Sequence, residues 1–129
     1  MPVHVVYYKE DSQTIPMVEW MEALSSQPKH RAKCNEWIGL LRDFGHELRR
    51  PEADYLRDGI YELRPRFQKI RYRMLYFFYE RDTAVITHGL IKQVKEVPWR
   101  EIQRALERKQ KFGADPASHT FYWEPDDEC

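Results

Sequence analysis

The spacing of apolar residues changes from a helical to a strand-like period along the chain. In the first half they recur every three or four residues, as on the buried face of a helix. A first helix is predicted to start after Ser12 or Thr14 and to end before Pro28. The residues expected to face inward are Ile15, Val18, Met21 and Leu24. A short β-branched and aromatic run at residues 3–8 precedes it and predicts a strand.

A second helix is predicted from Pro28 to Gly45, because proline is favoured in the first turn of a helix and glycine at its end. The residues expected to face inward are Ala32, Trp37, Leu40, Leu41 and Phe44. The two helices therefore form a predicted helical hairpin. Residues 48–58 are mostly polar and are interpreted as a connection that ends at the turn Asp58-Gly59.

The second half of the chain alternates apolar and polar residues and predicts three strands, at 59–64, 69–79 and 84–91. Their short connections imply antiparallel pairing. Pro98 then opens a last helix that ends near Phe112-Gly113. The expected fold class is α+β, with a twisted antiparallel sheet of about four strands packed against the N-terminal helical hairpin and a C-terminal helix.

The length of 129 residues fits one domain, predicted at residues 1–113 and followed by an acidic tail at 114–129. The tail could dock through Phe121-Tyr122-Trp123 or lie across a basic surface, but a mobile tail is the favoured expectation. The chain has no apolar run long enough to span a membrane and no signal-peptide pattern at its start. A cytoplasmic protein without membrane contact is therefore expected.

Composition gives little support for a metal or another cofactor. Cys34 and Cys129 form no CxxC pair and are interpreted as free thiols. The five histidines are scattered at spacings that match no zinc or iron signature. We therefore expect chemistry that uses no metal and no cofactor.

Charge is distributed unevenly, although the formal net charge of the whole chain is zero. Residues 57–111 hold 14 Lys and Arg against 7 Asp and Glu, whereas residues 112–129 hold none against 5. A local cationic excess attracts polyanions such as RNA, because Lys and Arg release counterions from the phosphate backbone. The alternative is a solvated surface of ion pairs.

Alternation along the strand 69–79 places Lys69, Arg71 and Arg73 on one face, together with Tyr79. Arg64 ends the preceding strand and Lys92 follows the next, so both should lie near Arg73 if the strands pair in order. Such a cationic cluster could grip phosphate and stabilise the transition state of RNA cleavage by the 2′-hydroxyl. The alternative for Arg64 and Arg73 is structural pairing, with Glu62, Glu80 or Glu96 as the candidate partners.

Proton transfer has several candidates, among them His88, which shares a face with Lys92, and the tyrosines Tyr76 and Tyr79. A histidine in a strand can equally serve as an internal hydrogen-bonding group. Lys95 and Arg100 are candidate peripheral phosphate contacts. The weakest candidates lie on the last helix, where a charged face is expected in any case: Arg104, Arg108, Lys109 and Lys111.

The second half of the chain resembles a family in an ordered set of short motifs. These motifs are Glu62-Leu63-Arg64, Tyr72-Arg73, His88-Gly89-Leu90-Ile91-Lys92, Pro98 and the helical run from Glu101 to Arg108. Together they resemble the HigB-type, phage-derived Gp49-like toxins of the RelE/ParE superfamily. The resemblance implies a RelE-like sheet packed against helices and an mRNA interferase, an endoribonuclease that cleaves mRNA on the ribosome.

The resemblance also implies partners and site residues. The partners would be the ribosome with its mRNA and a cognate antitoxin, often of the helix-turn-helix type. The cationic positions that match family catalysis are Arg64, Arg73 and Lys92. A second lysine that commonly follows the last strand is replaced here by Gln93, so Lys95 is its possible substitute. The rival interpretations are a non-catalytic relic toxin that binds its antitoxin in a repressor complex, and a general RNA-binding module.

Overall fold

The computed structural model describes residues 1–125, within which the chain forms three α-helices and seven β-strands. The helices are α1 (Pro16–Ala23), α2 (Pro28–Phe44) and α3 (Trp99–Ala114). The strands are β1 (His4–Tyr8), β2 (Ala53–Arg57), β3 (Ile60–Leu63), β4 (Arg66–Phe67), β5 (Ile70–Tyr79), β6 (Thr83–Ile91) and β7 (Thr120–Tyr122). No helix in this part of the chain is long and apolar enough to cross a membrane.

The strands form one twisted sheet in the order β2-β3-β5-β6-β1-β7, with β4 paired to β5. The predicted antiparallel pairing of β3, β5 and β6 is confirmed. The sheet is larger than expected and mixed, because β1 runs parallel to β6. This follows from the path of the chain: α1 and α2 carry it from β1 to the far edge of the sheet, and the antiparallel strands then bring it back alongside β1.

Two strands, β2 and β4, were not predicted from the sequence, because polar residues interrupt the apolar–polar alternation on which the prediction relied. β2 occupies the segment interpreted as a connection, and its residues are exposed or half-buried apart from Ala53. β4 closes a tight hairpin onto β5 through Gln68 and Lys69, which both have positive φ. Such a turn matches the twist of paired strands, although neither of its two residues is a glycine.

The expectation of a mobile tail is wrong for the segment that ends with β7. β7 pairs antiparallel with β1, and the ring of Phe121 stacks on Tyr7 with centroids 6.2 Å apart. His119 is buried against the ring of Tyr8 and its Nδ1 donates a hydrogen bond to the Lys9 carbonyl, at 2.8 Å. The segment docks because its rings stack on the buried side chains of Tyr7 and Tyr8. Residues 126–129, which include Cys129, lie outside the described residues.

The two faces of the sheet pack against different helices, as the alternation in β5 predicts. Tyr72, Met74 and Tyr76 belong to the cluster under α1 and α2. Leu75 and Phe77 belong to the cluster under α3. Arg71 and Arg73 share this second face, but only beyond the end of α3.

The inward face of α2 agrees with the predicted one only in part, since Leu41 is buried and Trp37 and Leu40 pack against the same cluster. Ala32 and Phe44 are exposed, whereas the buried positions are His30, Cys34, Ile38 and Leu41. His30 was overlooked because it is polar, yet it is satisfied inside by the Tyr72 hydroxyl at 2.8 Å and by Gln68 at 3.0 Å. Cys34 is a free thiol, as expected, and burial raises its pKa to about 12.

Candidate functional site: a basic groove beyond helix α3

The α3 face of the sheet is covered by the helix at one end and open at the other. At the open end lies a groove of about 410 Å³, which we call the basic groove. Its charged walls come from the β2–β3 hairpin, the end of β6 and the loop before α3. Its lining includes five cations, Arg50, Arg57, Arg64, Lys92 and Lys95, three carboxylates, Asp54, Glu62 and Glu96, and the indole of Trp99.

Glu62 lies at the floor of the basic groove and binds two arginines. Arg64 Nη1 donates a hydrogen bond to Glu62 Oε2 at 2.5 Å. Arg73 Nε lies 3.2 Å from Glu62 Oε1, but the two atoms are not aligned for a hydrogen bond. The second contact is therefore a close electrostatic pair, which leaves a lone pair of Oε1 free of any hydrogen-bond donor within residues 1–125.

Arg73 is deeply buried, at 2% exposure, and its Nη1 donates to the Tyr72 carbonyl at 2.7 Å. Burial lowers its pKa, and Glu62 opposes this effect. Of the candidate carboxylate partners, Glu62 is the one that pairs with both Arg64 and Arg73. As a direct contact to RNA, Arg73 is poorly placed, because its guanidinium lies behind Glu62.

Lys92 is a cation of the basic groove that has no ion-pair partner among residues 1–125. It follows β6 and is half-buried, and no carboxylate oxygen of residues 1–125 lies within 4 Å of its Nζ. Burial is the largest cause that lowers its pKa, followed by the positive charge of Arg73; Glu62 opposes them, and Arg64 and Arg71 have smaller lowering effects. Lys92 is therefore a cation close to other cations, a position that favours the binding of an anion.

The structure places His88 under α3 rather than in the basic groove. Arg108 Nη1 lies 3.1 Å from its Nδ1 and can only donate, and the Thr87 hydroxyl lies 2.7 Å from the same atom. Nδ1 must then be the acceptor, so Nε2 carries the proton and donates to Glu101 Oε1 at 3.0 Å. Burial and then Arg108 lower the pKa of His88 to about 4. The ring is neutral and fully engaged, which favours its structural role.

The other sequence-predicted residues separate into two groups. Arg71 and Lys69 are exposed at the open end, and Lys95 lines the basic groove. Arg100 is exposed and 4.0 Å from Glu101, outside the residues that line it. Tyr79 packs its ring against Phe112 of α3, 5.2 Å between centroids, and Tyr76 is buried under α1 and α2. Neither tyrosine lies in the basic groove.

The charged residues of α3 mostly bind other parts of the protein. Arg108 Nη2 lies 2.6 Å from Glu10, and Lys111 Nζ lies 2.7 Å from Asp11. Lys109 donates to the Asp58 carbonyl at 3.3 Å and holds the β2–β3 hairpin against the helix. Their low priority as RNA contacts is consistent with these positions.

Sequence analysis missed Arg50, Arg57 and Trp99, because β2 was interpreted as a connection. The available signal was Asp58-Gly59, a favoured two-residue hairpin turn. Both residues have positive φ, at 52° and 83°, and the turn brings β2 beside β3. Within the described residues there is no cluster of three or more His, Cys, Asp or Glu side chains that could hold a metal ion.

The three helices and the seven-stranded twisted sheet define an α+β protein, which is consistent with a RelE-like fold. The model of the phage-derived Gp49-like protein family (DUF891) matches residues 19–110, and the chain belongs to this family. Gp49-like is the family name of the HigB/RelE-like toxin group. Membership is compatible with a toxin of a toxin–antitoxin system, a class that acts with an antitoxin partner. No curated protein matches the chain.

Proposed function

We propose that this protein is the cytoplasmic toxin of a type II toxin–antitoxin system and a ribosome-dependent mRNA endoribonuclease. The observation that carries the proposal is the basic groove, in which Lys92 has no carboxylate oxygen within 4 Å among residues 1–125 and shares the lining with the Glu62–Arg64 pair. Lysine and arginine at close range suit a sugar–phosphate backbone. The reaction proposed is attack by the 2′-hydroxyl on the adjacent phosphorus, which needs no metal.

Arg64 and Lys92 are the proposed phosphate contacts. Arg64 is partly exposed, with 18% of its side chain accessible, so it can turn from Glu62 to the phosphate. Its guanidinium would then offer two parallel hydrogen bonds to the oxygens of the pentacovalent phosphorane. Lys92 adds a second positive charge, and its lowered pKa makes its ammonium a better proton donor to the leaving 5′-oxygen.

Glu62 is the proposed proton acceptor for the 2′-hydroxyl. Its Oε1 is buried against Arg73, whereas Oε2 is held by Arg64 and would be released to accept the proton when Arg64 turns to the phosphate. The proton moves to the carboxylate while O2′ bonds to phosphorus, and the bond to the 5′-oxygen breaks to leave a 2′,3′-cyclic phosphate. Arg73 is then a positioning residue, because it holds Glu62 from behind.

The other residues predicted to contact RNA are proposed to bind it at different distances from the scissile phosphate. Lys95 would bind a neighbouring phosphate inside the basic groove, and Arg71 and Lys69 would extend the cationic surface along β5. Arg100 would contribute only from the rim. His88 and Tyr79 have no role in the proposed chemistry, because both pack against α3.

The proposal is tested by adding the protein to translating ribosomes and mapping the mRNA ends. The expected result is cutting in the A-site codon by the wild type, also with a chelator present, and loss of cutting by Lys92→Ala. Lys29→Ala removes an exposed lysine from the N-terminal turn of α2, away from the basic groove, and serves as the control for loss of a lysine. The proposal fails if the wild type gives no A-site ends, or if Lys92→Ala cuts as well as Lys29→Ala.

A non-catalytic relic toxin is the second candidate, and the burial of Glu62 and Arg73 favours it. In that case the protein would act by binding an antitoxin, expected to be of the helix-turn-helix type, in a repressor complex. Normal growth when the protein is expressed alone, together with tight binding of the neighbouring gene's product, would support this candidate over the nuclease. Salt-sensitive RNA binding without cleavage would instead indicate a general RNA-binding module.

A further inference from the structure

Trp99 is placed unlike the other tryptophans of the chain. Trp20, Trp37 and Trp123 pack against the cluster under α1 and α2. Trp99, the first residue of α3, belongs to neither apolar cluster of the described residues and is 50% exposed. A large aromatic side chain exposed at the wall of a cationic groove has little to contribute to the core.

The indole of Trp99 is covered on one side by the guanidinium of Arg57, whose Cζ lies 4.6 Å from the ring centroid. Arg57 ends β2, and the hairpin turn that follows is fixed to α3 by the bond from Lys109 to the Asp58 carbonyl. Arg57 also pairs with Asp58 at 3.0 Å, although both side chains are more than half exposed. An exposed pair of this kind contributes little to stability.

We infer that Trp99 is a stacking platform for an unpaired RNA base next to the scissile phosphate, with Arg57 as the contact to the phosphate of that nucleotide. This inference rests on the proposed function, because it places the base beside Arg64 and Lys92. The same groove wall supplies both a π-face and a cation, the two components with which proteins hold single-stranded nucleic acid. Stacking accepts every base, so the platform strengthens binding without selecting a sequence.

The test uses a short 2′-O-methyl RNA, which binds but cannot be cut, and follows tryptophan fluorescence. Stacking of a base on Trp99 should quench the emission of the wild type. In Trp99→Ala that quenching should vanish and the dissociation constant should rise on the order of tenfold. Trp99→Phe should retain most of the affinity, and Trp123→Phe, whose indole packs near Arg42, should behave as the wild type.

Cleavage on ribosomes separates this inference from the proposed function. For Trp99→Ala we expect a raised KM and a nearly unchanged kcat, because stacking helps to hold the RNA and takes no part in proton transfer. Quenching through Trp99 without any cleavage by the wild type would support the platform and refute the nuclease.

Cleavage by Trp99→Ala with the KM of the wild type would overturn the platform and leave the nuclease standing. Quenching of Trp99 by the antitoxin but not by RNA would also overturn it. Circular dichroism of each variant shows whether the fold is retained, and Arg57→Ala provides a second variant that leaves the indole in place. We expect Arg57→Ala to weaken RNA binding and to increase its quenching of Trp99.

Discussion

The covered and the open end of the α3 face use the same residue types in opposite ways. Under α3, Arg108 lies between Glu10 and His88, and His88 donates in turn to Glu101, so each charge has a partner. At the open end, Lys92 has no carboxylate within 4 Å among the described residues. Cations under the helix are therefore paired within the protein, whereas beyond it Lys92 and Lys95 have no ion-pair partner among the described residues and remain available to a ligand.

Glu62 and Arg73 mark the border between these two ends. Both are buried like the residues under α3, yet Glu62 also lines the basic groove and pairs with the movable Arg64. A buried pair that borders a groove can orient a reactive carboxylate. The four predictions that follow test where this border lies.

The largest effect on stability is expected from Arg73→Ala. Its removal leaves a cavity and takes one of two cations from the buried Glu62, which should lower the free energy of unfolding by about 3–5 kcal/mol. Urea unfolding measures this change. Arg71 is an exposed neighbour on the same face, so Arg71→Ala should lower the free energy of unfolding by less than about 0.5 kcal/mol. Equal losses for the two variants would contradict the division between a buried and an open end.

Lys92→Ala and Arg64→Ala should each slow mRNA cleavage by about 100-fold, since each removes a positive charge from the transition state. Stability should change little for Lys92→Ala, because no ion pair within the described chain is lost. Single-turnover cleavage on ribosomes, compared with thermal unfolding, separates the two quantities. A loss of activity that merely follows a loss of folded protein would contradict the assignment.

At the covered end, Arg108→Ala should lower the free energy of unfolding by about 2 kcal/mol while cleavage per folded molecule is retained. The variant removes the partner of Glu10 and a donor to His88. Arg104→Ala is the matched control, because its side chain is 53% exposed and its contact to Glu101 is long, at 3.4 Å. Loss of cleavage with intact stability in Arg108→Ala would extend the site under α3.

Acid should destabilise the covered end through His88. The folded pKa of about 4 lies below the ordinary 6.5, so the unfolded chain binds the proton first as the pH falls. Stability from this group is complete above pH 6.5 and is lost toward pH 4, by about 2 kcal/mol between pH 7 and pH 5.

The groups that face the His88 ring from α3 are Glu101, Arg104 and Arg108. Urea midpoints at pH 7 and pH 5 measure the loss, and His88→Gln should flatten part of the slope. An unchanged slope in His88→Gln would assign the acid sensitivity to carboxylates elsewhere.

Sequence reasoning predicted the central strands and the three helices because their apolar periods are strong. It missed β2, β4 and β7, which are short or lie at an edge of the sheet and lack a buried alternating face. It also placed Arg64, Lys92 and Arg73 on one face correctly, since parity within a strand fixes direction.

Parity could not show which of these cations would be covered. Arg73 and His88 share a face with Lys92, yet their burial depends on where α3 ends and on Glu62, which comes from a neighbouring strand. Trp99 was missed for a related reason, because its position beside Arg57 depends on a hairpin whose first strand was not predicted. Long-range packing, rather than local pattern, decides these cases.

The most direct test of the difference between the two ends is a titration of isotope-labelled protein with the 2′-O-methyl RNA, followed by two-dimensional NMR. The account predicts that resonances of Lys92, Lys95 and the Trp99 indole shift, while those of His88 and Arg108 stay in place. Shifts centred on His88 and Arg108, with the basic groove unaffected, would contradict it.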